Sequence, residues 1–295
     1  MQHRAGSLAA PVASFSHAYN AIGDLASQTE LTSSKTFAYD ANARLTGVTQ
    51  TVPAPAAQVE SYTYDPAGNR IASHLSAAIT VDDGDRTLED ATNTYQWDAD
   101  GGLVRRVNKA NGATIDFLWA YDALRNRKRL GELQGPWPRN FVYDAFGRLV
   151  HIGIPFGPYT DLYQDGPDTA LMHSGVRSDQ PTWTRFVHGP GDDQVLAMEV
   201  YAPNADPTPG TGQQFYFHAD GEGSIRLVTD STGNVANRYD YDSFGRRIAV
   251  TESVQQPYGW KGRDFIAGPD IYYNRARFYD PVLGKFIAED PLGFA

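Results

Sequence analysis

The chain has 295 residues and no cysteine, which removes disulfides, thiol chemistry and cysteine-ligated zinc from consideration. A formal net charge of −10 argues against a nucleic-acid partner, because phosphate binding needs a concentrated positive surface. Aromatics at 12%, with 17 Tyr, 28 Gly and 18 Pro, fit a turn-rich β protein, and no stretch approaches the roughly 20 apolar residues of a membrane-spanning helix.

Residues 1–14 are dominated by small side chains without alternation, and are expected to form a flexible leader. They lack the long apolar run of a signal peptide, so any export would rest on signals carried elsewhere.

Residues 15–150 contain a tandem of similar turns: "YNAIGDL" from Tyr19, "YDANARL" from Tyr39, "YDPAGNR" from Tyr64, "WDADGGL" from Trp97, "YDALRNR" from Tyr121 and "YDAFGRLV" from Tyr143. Their starts are 20, 25, 33, 24 and 22 residues apart, about two strands and two turns each, so each unit reads as one β-hairpin. In the Tyr143 unit, Asp144 suits the first position of a type I turn and Gly147 the fourth, where φ is positive. Asp65 and Gly68, and Asp242 and Gly245, occupy the same places in their units. Ala43 and Arg125 stand where glycine is expected, so those two turns should differ in detail or shift the strained position to Asn42 or Asn126. A tandem of hairpins cannot bury its faces unit by unit and must stack into a continuous sheet. The basic cluster Arg125, Arg127, Lys128 and Arg129 reads as a solvated strand face following a turn.

From 151 to 210 the repeat weakens into Pro-, Gly- and Asp-rich loops around the strands "TWTRFVHG" and "QVLAMEVY". From 211 to 295 it tightens again, through "TDSTGNV" at Thr229 and "YDSFGRRI" at Tyr241 to "YDPVLGKF" at Tyr279.

Chemistry is sparse. The seven His residues, 3, 17, 74, 151, 173, 188 and 218, include no pair at metal-ligand spacing. Neither a nucleophile elbow nor a phosphate loop occurs, since Gly284-Lys285 is followed by Phe286. "VDDGD" from Val81 and "DADGG" from Asp98 cluster carboxylates beside Gly as calcium loops do, but neither has the distal bidentate Glu, and turn chemistry is the better reading. No metal or cofactor is expected.

The last third resembles the core segment of the Rhs family, the proteins built on YD repeats. Its pattern "HxDxxGSxRxxTDxxGxV" falls on His218 to Val235, "YDxFGR" on Tyr241 to Arg246, and the stretch ending "GRFxxxDPxG" on Arg277 to Gly293, with Lys285 in place of the usual Arg. The resemblance implies an all-β fold of tandem antiparallel hairpins wound into part of a spiralling shell, with 211–295 as the Rhs-associated core. It also implies a bacterial, secreted or cell-surface polymorphic toxin, whose shell encloses a C-terminal toxin. Expected partners are that toxin, the remaining shell segments and secretion-system proteins, with self-association through open sheet edges. Complete relatives resemble aspartyl proteases that cut their own chain, which makes Asp264, Asp280, Glu289 and Asp290 candidates for an acid pair. The family pattern continues past "DPLG" with "NLYxYxxNNP" and a second "DPxGL" before the cut, so self-cleavage is not expected of residues 1–295. The competing non-enzymatic reading is an adhesive module whose exposed aromatic rows bind glycans.

Overall fold

The computed structural model describes residues 2–4, 11–52, 56–121, 128–136, 138–154, 157–176, 181–191 and 193–290. Among them there is no α-helix; a single 3-10 turn, Trp260–Gly262, interrupts a succession of antiparallel strands. The chain divides into two compact units, Met1–Tyr95 with Val107–Gly112, and Gln96–Arg106 with Ala113–Ala295.

In the first unit the strands Gln2–Arg4, Pro11–Tyr19, Leu25–Glu30, Ser34–Tyr39, Leu45–Val52, Ala57–Tyr64 and Arg70–Ser73 form a sheet in sequence order. Alternation turns Ala13, Phe15, Val48 and Tyr62 to the buried face. Pairing starts earlier than the sequence pattern suggests, since His3 lies opposite Ala13, inside the stretch read as a leader. Gln2–Arg4 forms a strand there because Pro11–Tyr19 gives it a partner.

The turns share one construction. In the Tyr143 unit the Gly147 amide donates to the Asp144 carbonyl (2.9 Å) and the Asp144 amide to the Arg148 carbonyl (3.0 Å). Asp144 Oδ1 accepts from the amides of Phe146 and Arg148, both at 2.9 Å, and Oδ2 accepts from Arg148 Nε at 2.7 Å. Gly147 has φ +80°, and the register slips by one residue at Tyr143, which together make a type I turn with a glycine bulge. Asp242 and Gly245 (φ +89°) repeat this, and Asp65 and Gly68 (φ +97°) do so with Asn69 in place of Arg. Ala43 departs from expectation. It adopts φ +58° itself and keeps the shared turn, with Asp40 Oδ1 accepting from the amides of Asn42 and Arg44; those bonds and the Asp40–Arg44 ion pair offset the strain. Arg125 and Arg127 lie outside the described residues.

The tyrosine that recurs at the start of the turns has a structural job that connects neighbouring hairpins. The bulge leaves a carbonyl on the first strand residue after the turn, and in several hairpins an aromatic or amide donor from the next hairpin satisfies it. Tyr39 Oη donates to Leu25 O (2.9 Å), Tyr64 Oη to Leu45 O (2.8 Å) and Tyr241 Oη to Ile225 O (3.0 Å). Trp119 Nε1 does the same for Leu103 O (2.7 Å) and Gln164 Nε2 for Leu149 O (3.0 Å). Arginines add stitches: Arg44 Nη1 reaches Asp65 O at 2.9 Å, and Arg148 Nη1 reaches Gly166 O at 2.7 Å.

In the second unit each strand from Thr114–Tyr121 to Arg247–Glu252 pairs with the next in sequence order, forming a wall. Its inner face buries Phe117, Leu130, Phe141, Leu162, Met172, Phe186, Met198, Val228 and Tyr239. Against that face packs a separate small sheet of Asp264–Ile266, Ile271–Asn274, Arg277–Asp280 and Lys285–Phe286. Ile271, Tyr272 and Ile287 are fully buried, each contributing about 1.5–3 kcal/mol. The C-terminal segment touches both ends of the wall. The Leu103 amide donates to Ile287 O (2.9 Å), the Ile225 amide to Gly259 O (3.0 Å), and Tyr272 Oη to Gly245 O (2.8 Å). Between these, Phe278 meets Phe141 edge-on at 5.4 Å, and Tyr258 meets Phe186 at 5.2 Å. The wall therefore curls around the C-terminal strands, which act as its plug.

Candidate functional site

Where the plug meets the turn end of the wall, a pocket of about 310 Å³ gathers three carboxylates, Asp168, Asp193 and Asp264, with Arg129, Arg148, Arg263 and Arg275. Asp193 is fixed from two sides, by Arg263 Nη1 to Oδ2 (2.8 Å) and by Arg275 Nη2 to Oδ1 (2.8 Å). Arg275 also reaches Asp168 Oδ1 at 3.5 Å. Gly262 (φ +69°) lets the plug come close enough for this, since a Cβ there would stand 2.5 Å from the Asp193 carbonyl oxygen.

Asp264 opens the plug's first strand and faces the pocket. Burial, reinforced by the neighbouring Asp193 charge, pushes its carboxyl up to about 7. Arg263 and Arg275 pull the other way but are engaged with Asp193. Near neutral pH Asp264 can thus donate a proton or hydrogen bond, whereas Asp193, clamped by two guanidiniums, offers acceptor oxygens. Tyr273 stands at the same pocket, its hydroxyl accepting from the Leu149 amide (3.1 Å) and pushed up to about 12 by burial.

The other carboxylates singled out in the sequence sit elsewhere. Asp280 is fully buried at a plug turn, where it accepts from the amides of Val282 (2.8 Å) and Leu283 (3.1 Å) and pairs with Arg106 Nη1 (3.1 Å). Asp290 is exposed and pairs with Arg277 Nη2 (3.2 Å), and Glu289 lies against the Gly101 turn. The carboxylate that neighbours Asp264 is therefore Asp193, from a loop segment that carries no repeat signal. Asp82 and Asp98 direct Oδ1 at the amides of their own turns, Gly84 and Arg86 at 2.9 Å, and Asp100 and Gly102 at 3.1 and 2.8 Å. Arg129 is not a solvated strand residue: it stacks over the Tyr143 ring at 4.9 Å and donates to Gly147 O at 2.6 Å.

On the outer face of the wall, His151, Asp161, His173 and Trp183 lie directly opposite one another on four successive strands. Asp161 accepts from His151 Nδ1 at 2.6 Å, and His173 stacks on Trp183 at 4.3 Å with Tyr159 and Tyr163 flanking.

The Teneurin YD-shell family model matches residues 12–159, and the chain belongs to that family. The double-stranded DNA deaminase toxin A of Burkholderia cenocepacia (strain H111) is 26% identical over 300 residues, covering 94% of this chain and 20% of its own length. The tRNA3(Ser)-specific nuclease WapA of Bacillus spizizenii is 23% identical over 253 residues, covering 79% of this chain and 10% of its own. The chain thus spans a tenth to a fifth of these relatives. A solved structure, TcdB2-TccC3 without its hypervariable C-terminal region, aligns over 96% of this chain and 18% of that one at 15% identity, with a TM-score of 0.44.

Proposed function

We propose that this chain is the shell segment of a secreted polymorphic toxin, whose hairpin wall and plug enclose a toxic polypeptide carried by the same product. The observation that carries the reading is the hairpin-to-hairpin construction, in which bulge carbonyls such as Leu45 O and Ile225 O are closed by the next hairpin, together with the C-terminal strands that cover the inner face of the second unit's wall. The relatives support it. One is named for DNA deamination and another for tRNA cleavage, yet the segment they share with this chain is a minor part of each, so the shared part is the common housing and the distinct chemistry lies outside it.

Limited proteolysis of the full-length gene product tests this. Polypeptide outside residues 1–295 should survive trypsin while the shell is folded and be degraded once urea opens it. Equal digestion rates in both conditions would sink the reading.

The segment itself is structural. Asp280 and Asp290 are each held by their own arginine, and the intact mass of the chain should stay constant on long incubation between pH 5 and 8. Single-site cleavage abolished by Asp264→Asn would instead make the pocket a working protease. The stacked row at His173 and Trp183 favours an adhesive reading in second place, and a glycan array probed with the chain and with Trp183→Ala would decide it.

A further inference from the structure

On the strands Pro158–Asp165, Asp168–Val176 and Thr182–His188, alternation turns Leu162, Met172 and Thr184, which lie opposite one another, toward the plug. Asp161, His173 and Trp183, one residue along each strand, therefore face the other way, with Tyr159 and Tyr163 beside them. Tyr163 leans on Trp183 with ring centres 5.5 Å apart and planes at 42°, and it is 48% exposed. His173 covers the other side of the indole, and Tyr159 meets His173 edge-on.

The polar atoms of this patch are unused. Elsewhere in the wall phenols hold the structure together: Tyr143 Oη donates to Leu130 O, Tyr201 Oη to Glu199 and Tyr241 Oη to Ile225 O. Tyr159 and Tyr163 make no hydrogen bond among the described residues, and neither do the Trp183 indole N–H and the His173 ring. Asp161 gives Oδ1 to His151 Nδ1, but its Oδ2 lies 3.8 Å from His173 Nδ1, beyond hydrogen-bond reach. The patch thus joins flat apolar rings to an unengaged carboxylate oxygen and several unengaged donors. A sugar ring matches that combination, because its C–H faces stack on aromatics while its hydroxyls donate and accept. A purely apolar partner would bury the Asp161 carboxylate without a donor, which is costly. Arg185, next on the same face, lies opposite Glu199 and offsets that carboxylate's charge, so it is not available to an acidic sugar.

We propose that this outer-face patch binds a neutral hexopyranose. The ring lies across Tyr163 and Trp183, a hydroxyl donates to Asp161 Oδ2, and another accepts from the Trp183 indole N–H. The site deepens the adhesive reading, on whose aromatic row it rests, and is independent of what the shell encloses.

The test titrates the 295-residue chain, by ligand-observed NMR, with methyl β-D-galactopyranoside, methyl β-D-glucopyranoside, sodium glucuronate and cyclohexylmethanol. At least one methyl hexoside should bind in roughly the millimolar range, as a ligand of this size allows. Tyr163→Ala and Trp183→Ala should each weaken it about tenfold, and Tyr216→Ala, an exposed aromatic elsewhere on the wall, should leave it unchanged. Tyr163 is exposed enough that its variant keeps the test decisive if Trp183→Ala misfolds. Absence of binding by both hexosides at about 20 mM, or binding that survives Tyr163→Ala undiminished, would overturn the site. Cyclohexylmethanol binding as tightly would overturn the sugar assignment, and glucuronate binding as tightly would overturn the neutral class. A glycan-array signal that persists in Tyr163→Ala would keep the chain adhesive but overturn this site, whereas hexoside binding lost in Tyr163→Ala without any array signal would uphold the site and remove the adhesive reading.

Discussion

Asp264 and the turn aspartates respond to pH in opposite directions. Asp264 is raised in the folded chain to about 7 from an ordinary 3.8, so between those values the unfolded chain has released a proton that the folded chain keeps. Its contribution is fully present below about pH 4 and is lost as pH rises through 7. Asp264→Asn should therefore melt progressively higher than the unmodified chain between pH 5 and 8. The gain should be about 1–2 kcal/mol, less than the shift alone implies because the pocket admits water to the carboxyl. A constant difference across that range would show that Asp264 does not hold its proton. Asp230, by contrast, is held down to about 2 by hydrogen bonds from Thr232 and Asn234, so its contribution is present above pH 4 and is lost as pH falls through 2. Local residues of this kind were legible, because an Asp and a positive-φ residue three apart signal a turn without outside help. Gly147→Val should cost about 2 kcal/mol or more, from left-handed strain and a clash with the Arg129 guanidinium, whereas Asp144→Asn should cost about 0.5–1 kcal/mol. Urea midpoints compare the two, and equal losses would remove the turn construction. Asp168 and Asp193 had no such local signal, since only the packing of the plug brings them to Asp264.

At the scale of the hairpin, the repeat could be read from its spacing, and period-two alternation between regular turns was enough to give strands. The meaning of the tyrosine was not readable, because its acceptor belongs to the preceding unit and its distance in sequence varies from Tyr39–Leu25 to Tyr64–Leu45. Ala43 shows the limit of residue rules: the neighbouring bonds hold it at φ +58° although a Cβ disfavours that region. If the phenol closes a buried bulge carbonyl, Tyr241→Phe should destabilise by about 1–3 kcal/mol, since Ile225 O is left unpaired in a dry site. Tyr39→Phe, at a half-buried position, should cost under about 1 kcal/mol because water can replace the phenol. The reverse order in denaturant titrations would mean that the tyrosines act through packing alone.

Across the second unit, the Rhs-like motifs indicated a core segment but not where it goes. Nothing in "RFYDPVLGKF" says that Asp280 will meet Arg106 or that Ile287 will accept from Leu103, because these contacts join residues from opposite ends of the unit. They are what make the C-terminal strands the plug of the wall. Residue-resolved hydrogen exchange of the amides of Leu103 and Ile225 tests this most directly, since their acceptors, Ile287 O and Gly259 O, both belong to the C-terminal segment. The account predicts that both amides open with the same free energy as the amides at the centre of the wall, in one cooperative event. Exchange of Leu103 and Ile225 at rates near those of exposed loops, while the wall stays protected, would contradict a wall folded around its plug.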